Sequence, residues 1–339
     1  MQLNEVQTTE VRSFGRLINY ASVLCFFIMA LGATVRANDA GLACPDWPLC
    51  YNRVIPIFDL GIFLEWFHRV VAGGLTILLL VASWRIIRST TLRREFGSPI
   101  VAAMVLLGVQ IVLGGLTVLH LLEPKIVAAH LVNALLFFSV LLWMAMRARA
   151  IVSPNVARQS VRATPAFRWT LTGLLGLLFA QLVVGGMVST NQAGLACPDF
   201  PKCHGMWLPP VSFHITLQVL HRYLGYAVAL GAVAVWMLAT TSHLGRLPRL
   251  ATRLLPALVL AQIALGIVNV IWLLPEWASV AHLANAVLIF ALLLLAVLDV
   301  WIAAGFNSAE SLARSGRASA SDSVSSLAVS GKAADGLSH

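Results

Sequence analysis

The reactive side chains of this sequence fall into two sets. The first is Cys44, Cys50, Glu65, His68, Arg69 and His130, within the stretches AGLACPDWPLC, EWFHR and LLEPKIVAAHLVNALL. The second is Cys197, Cys203, His221, Arg222 and His282, within AGLACPDFPKC, QVLHR and LLPEWASVAHLANAVL. The cysteines, the first histidine and its arginine recur at an offset of 153 residues, and the second histidine at 152. His120, His204, His214 and His243 stand opposite Trp272, Tyr51, Gly61 and Thr90, so none of them has a symmetric partner.

A lone histidine in an apolar segment is more often a satisfied core residue than a ligand. Four at matched depth, two per repeat, reverse that expectation, because ionisable groups inside a membrane are costly and normally face the bundle interior. Two imidazoles converging from facing helices are how a bundle holds a haem iron axially. Closed structural zinc sites usually take four ligands, often thiolates, and two histidines fall short of that. His68 with His130, and His221 with His282, therefore read as two haem sites, with the histidines as axial ligands of the iron.

Arg69 and Arg222 stand where haem propionates would emerge. A guanidinium binds carboxylate in a bidentate way, although an interfacial arginine snorkelling to water has the same sequence signature. Cys44 with Cys50, and Cys197 with Cys203, are stiffened by Pro45, Pro48, Pro198 and Pro201 and are placed to close small disulfide rings. Such rings staple a loop over the site or, in the first pair, cycle as a redox couple. Cys25, opposite Leu178, reads as a core residue.

Glu65 breaks the repeat, since its counterpart is Gln218. Residues three apart share a helix face, which puts Glu65 beside His68. A carboxylate partly buried at the membrane edge can act as an acid or base, and glutamine cannot; the competing reading is an interfacial glutamate that meets water. If one half is catalytic and the other only holds a cofactor, the first half is the catalytic one.

The elements that position these residues must be membrane helices. The composition is 59% apolar and 11% charged, with a mean hydropathy of +0.85, too little charge to cover a soluble surface. Eight runs reach the ~20 apolar residues that a spanning helix needs. They are roughly Leu17–Val35, Phe63–Trp84, Ile100–Leu119, Val127–Met146, Trp169–Val188, Leu217–Leu238, Leu254–Leu274 and Val280–Ala303.

The expected fold is an all-α polytopic membrane protein, built as two tandem four-helix bundles in the same orientation. They would be related by a pseudo-twofold axis along the membrane normal. The expected divisions are a cytoplasmic N-terminus (1–16), an N-terminal bundle (17–150), a linker (151–167), a C-terminal bundle (168–303) and a disordered tail (304–339). A weaker pattern runs inside the repeat. Odd-numbered spans carry glycine near their outer ends, at Gly32, Gly114, Gly185 and Gly266, and even-numbered spans open with histidine. Glycine admits a close backbone or a flat ligand, or serves ordinary helix packing.

The net charge of +9 does not call for nucleic acid. Seventeen of the basic side chains lie at one set of helix ends and six at the other, which places both termini in the cytoplasm and the cysteine loops outside. No cleavable signal peptide is expected.

At these residues the chain resembles the haem A synthase family, over nearly the whole membrane region. The resemblance implies oxidation of a ring methyl of haem O to a formyl group by successive hydroxylations, giving haem A for cytochrome oxidase. It implies that haem O is received between His68 and His130, that haem B is held between His221 and His282, and that Glu65 and the Cys44–Cys50 pair have functional roles. It also implies a bacterial inner-membrane enzyme with haem O synthase and oxidase assembly factors as partners, oligomerisation as an open question and an electron acceptor that the residues do not identify. A dihaem b-type electron-transfer cytochrome explains four histidines equally well but gives no reason for Glu65 to face Gln218, and a transporter built from parallel repeats is a third reading.

Overall fold

The computed structural model describes residues 4–57, 59–154, 161–210 and 212–303. Eight helices among them are long and apolar enough to cross a membrane. They are α1 Glu5–Ala37, α2 Leu60–Arg88, α3 Thr90–Leu119, α4 Pro124–Val152, α5 Pro165–Thr190, α6 Phe213–Thr240, α7 Arg246–Ile271 and α8 Glu276–Ala303. The protein is thus an all-helical, multi-pass membrane protein. The one sheet-like feature among the described residues is a two-residue antiparallel pairing, β1 Val161–Arg162 with β2 His243–Leu244, which ties the middle connection to the α6–α7 turn.

Within the first half α1 packs on α2 and α4, and α3 on α2 and α4. In the second, α6 packs on α5 and α7, Asn285 of α8 bonds to α7, and Trp301 of α8 donates to Thr172 of α5 at 3.0 Å. α4 and α8 are the most buried helices, and α2, α3, α6 and α7 the least. Large apolar side chains such as Ile77, Val101, Leu230 and Leu260 are exposed on those outer helices, as a lipid-facing surface requires.

The halves meet where α4 packs on α5 and where Arg36 donates to Ser189 through Nε at 2.8 Å and through a terminal nitrogen to its carbonyl. Ser189 is the repeat counterpart of Arg36, so one position meets its own duplicate.

Most helices run past their expected bounds, α3 starting at Thr90 instead of Ile100 and α7 at Arg246 instead of Leu254, and two further shifts have a local cause. α1 begins at Glu5, far before Leu17, because Asn4 and Gln7 form a reciprocal capping box and because Val11, Phe14 and Ile18 continue the buried helical face. Phe14 packs against Phe96 with ring centroids 4.8 Å apart and planes inclined at 39°, so residues counted as a cytoplasmic N-terminus belong to the bundle. α7 ends at Ile271, before the expected Leu274, since Leu273 and Leu274 take positive φ of 57° and 61°. Hydropathy counts those leucines as span; the backbone uses them as a turn. The expected tail 304–339 lies outside the described residues, as do residues 155–160 of the expected linker.

Candidate functional site

The two motifs AGLACPDWPLC and AGLACPDFPKC fold into closed loops at the same end of each half. Cys44 is bonded to Cys50 and Cys197 to Cys203. Past each ring the chain reverses through two residues of positive φ, Tyr51–Asn52 and His204–Gly205, pairing Cys50 with Arg53 and Cys203 with Met206. Such a turn is unfavourable for non-glycine residues, and an aspartate compensates. Asp46 accepts the N–H groups of Tyr51 (2.6 Å) and Asn52 (2.8 Å), and Asp199 accepts those of His204 (2.6 Å) and Gly205 (2.8 Å). These amides, led by that of Asn52, hold the Asp46 carboxyl below the usual carboxylate range, and those of Gly205 and His204 do the same for Asp199.

The arginines brace the loops from below. Arg69 donates through Nη1 to the carbonyls of Asp46 (2.8 Å) and Leu49 (2.5 Å), and through Nη2 to Cys44 (3.3 Å) and to Glu65 Oε1 (2.5 Å). Arg222 repeats this on the carbonyls of Asp199, Lys202 and Cys197. The terminal N–H groups of Arg69 are therefore committed to the loop and to Glu65, leaving Nε. The protein contacts of both guanidiniums are thus loop carbonyls, with Glu65 added for Arg69.

Glu65 and Gln218 are both buried, 5% exposed each, and show why the exchange is chemical. Glu65 Oε2 accepts the Cys44 N–H at 2.8 Å while Oε1 takes Arg69. Gln218 instead donates Nε2 to the Gly194 carbonyl at 3.0 Å, and its Oε1 has no hydrogen-bond partner. The first half thus carries a buried ion pair joined to its disulfide ring, and the second a neutral amide in the same place.

The four histidines each meet one of the four outer glycines. A Cβ at Gly32 would come 3.2 Å from Cε1 of His68, at Gly114 3.2 Å from that of His130, at Gly185 2.8 Å from that of His221, and at Gly266 3.2 Å from that of His282. Each imidazole thus presses its Cε1–Nδ1 edge onto a bare helix backbone. Each Nδ1 is buried without a hydrogen-bond partner, although each residue is only half-buried.

His221 and His282 lie with ring centroids 6.3 Å apart and planes inclined at 62°. Metal–imidazole bonds of about 2.0–2.1 Å on each side need rings a little over ~6 Å apart, so this pair fits a single iron held between two nitrogens. Among the described residues no group of three or more His, Cys, Asp or Glu is arranged around a metal position.

The sequence reading passed over two amide pairs. Asn133 donates to the Leu106 carbonyl (2.9 Å) and to Gln110 Oε1 (2.6 Å), and Gln110 Nε2 lies 3.2 Å from His130 Nε2. Asn285 does the same with Leu258 (3.0 Å) and Gln262 (2.8 Å). Their signal was available, since Gln110 and Asn133 recur at the same 152-residue offset as His130. Two of the unmatched histidines have local roles: His120 caps α3 as Trp272 caps α7, and His204 contacts the Ala196 carbonyl within its loop.

Eight membrane helices carrying two histidine pairs, each half closed by a disulfide loop, define a duplicated polytopic membrane bundle. The chain belongs to the COX15-CtaA family, "Cytochrome oxidase assembly protein", whose model matches residues 15–294. It is similar to the "Heme A synthase" of Shewanella oneidensis, 28% identical over 84% of this chain and 94% of that one. It is also similar to those of Geobacillus thermodenitrificans, at 27% over 80% and 86%, and Halalkalibacterium halodurans, at 28% over 76% and 86%.

Proposed function

We propose that this protein is a haem A synthase, an oxidoreductase that converts the ring methyl of haem O to the formyl group of haem A by successive hydroxylations. Family membership supports the reaction. The observation that carries its placement is the buried Glu65–Arg69 pair, present in the first half and replaced by neutral Gln218 in the second.

Haem O enters the first bundle, where His68 and His130 ligate its iron and so fix the position of the macrocycle. Glu65, on the same helix face as His68 and one turn before it, accepts protons released as the methyl carbon is oxidised. Arg69 keeps that carboxylate paired and, with the Cys44–Cys50 loop, covers the outer end of the site. The second bundle holds haem B between His221 and His282, whose spacing fits one iron. Haem B bound there supplies one-electron redox chemistry.

The halves are related by a pseudo-twofold axis along the membrane normal, which the meeting of Arg36 with its counterpart Ser189 supports. The protein resides in the cell inner membrane with both termini cytoplasmic, supported by the distribution of basic residues. It receives its substrate from haem O synthase and passes its product to cytochrome oxidase assembly.

The test is expression in cells that make haem O, followed by analysis of extracted haems. Formyl haem in quantity is expected. Haem B with unmodified haem O alone, in the presence of active redox partners, would refute the assignment and leave an electron-transfer cytochrome.

A further inference from the structure

The hydrogen-bond chain that ends on His130 has a direction set by the backbone. A carbonyl only accepts, so the Leu106 oxygen fixes which end of the Asn133 amide carries hydrogen. The second N–H of Asn133 then points to Gln110 Oε1 at 2.6 Å, which turns the Gln110 NH2 toward His130. An amide nitrogen only donates, so across the 3.2 Å contact His130 Nε2 is the acceptor and its ring proton sits on Nδ1. That lone pair is the one a metal takes, at about 2 Å. The amide and an iron compete for it.

We propose that Gln110, held by Asn133, is a positioning residue that occupies the His130 Nε2 lone pair whenever the first site is free of haem and gives it up to the iron when haem enters. This rests on the reading of the first bundle as the site that takes in haem O and releases product. Without the amide, the haem-free site would leave a lone pair unmet, and an unmade hydrogen bond at a part-buried group is costly. With it, the ring waits in the tautomer that ligation needs, and release of product is eased by a replacement partner. Asn133 prevents the amide from rotating its oxygen toward the ring. Gln262 and Asn285 form the same pair in the second half.

The experiment is equilibrium partition of haem between the purified full-length protein and an excess of a haem-accepting globin, read by absorption, for the wild type, Gln110→Met and Asn133→Ser. The His221–His282 haem in the same sample reports an intact fold. Gln110→Met is expected to hold haem at the first site about fivefold to tenfold more tightly, the worth of one hydrogen bond. Asn133→Ser should shift in the same direction. A gain in affinity is a direction that a packing defect does not produce.

Unchanged or weaker binding at the first site in Gln110→Met, with the second-bundle spectrum intact, overturns the inference. If Gln110→Met loses both spectra, Asn133→Ser decides by the same criterion. If His130→Ala leaves the haem content of the protein unchanged, the first bundle binds no haem through this residue, and both the functional reading and the inference fall. Haem bound there with an affinity indifferent to Gln110→Met overturns the inference alone.

Discussion

Glu65 and Gln218 occupy equivalent, equally buried positions, yet one accepts an N–H and an ion pair while the other donates to a carbonyl. The second half therefore demonstrates that an amide fits this niche. Glu65→Gln is expected to retain haem at both sites while turnover falls by about 10²-fold to 10⁴-fold, the usual contribution of an acid–base group; full turnover in extracted-haem assays would remove the carboxylate from the mechanism. The glycines carry a second prediction. A Cβ at Gly185 lies 2.8 Å from the His221 ring, closer than the 3.2 Å at Gly32. Overpacking of this kind costs about 1–3 kcal/mol. Gly185→Ala should reduce the haem B absorption of the second bundle, His221→Ala should abolish it, and the Gly185 change should do more harm there than Gly32→Ala does to the first site. The glycine–histidine pattern was visible along the chain, but its pairing was not, because the partners sit on different helices and only packing brings them together.

At the scale of elements, each cysteine loop is a closed unit: a disulfide, an aspartate binding two turn amides, and an arginine binding three carbonyls. The Asp46 carboxyl is held below its ordinary range by those amides. Its contribution to the loop is therefore complete above the unfolded aspartate value of about 3.9 and is lost as pH falls through the lower native value. Reduction of Cys44–Cys50 by a phosphine, expressed as the rate relative to Asp46→Asn, should be constant from neutral pH down to about pH 4 and rise toward unity below it. A ratio of one throughout would mean that the aspartate does not hold the loop. The cysteine pairing was legible from spacing alone. The partners of Arg69 and Arg222 were not, since a guanidinium at a membrane edge serves a propionate or a carbonyl equally well until the loop above it is placed.

At the scale of the molecule, α4 and α8 are the best-buried helices, and the halves meet through α4, α5 and the Arg36–Ser189 contact. Glu123, in the α3–α4 turn, and the exposed Arg93, near the start of α3, lie at opposite ends of that helix. With the proposed orientation, a membrane-impermeant thiol reagent applied from outside should label Glu123→Cys in intact spheroplasts and label Arg93→Cys only after lysis. The reverse pattern would invert the topology.

The sequence by itself determined the number of membrane helices, the duplication, the four histidines and the single asymmetric position, because hydropathy and repetition are properties of a linear string. The capping box at Asn4 and the leucine turn after Ile271 moved the ends of helices, because hydrogen bonding and backbone angles act where hydropathy is silent. Only the tertiary structure decided which glycine seats which histidine, where Glu65 and the arginines spend their hydrogen bonds, and that Gln110 reaches His130. Those contacts join residues on different helices, and their geometry exists only once the helices have packed.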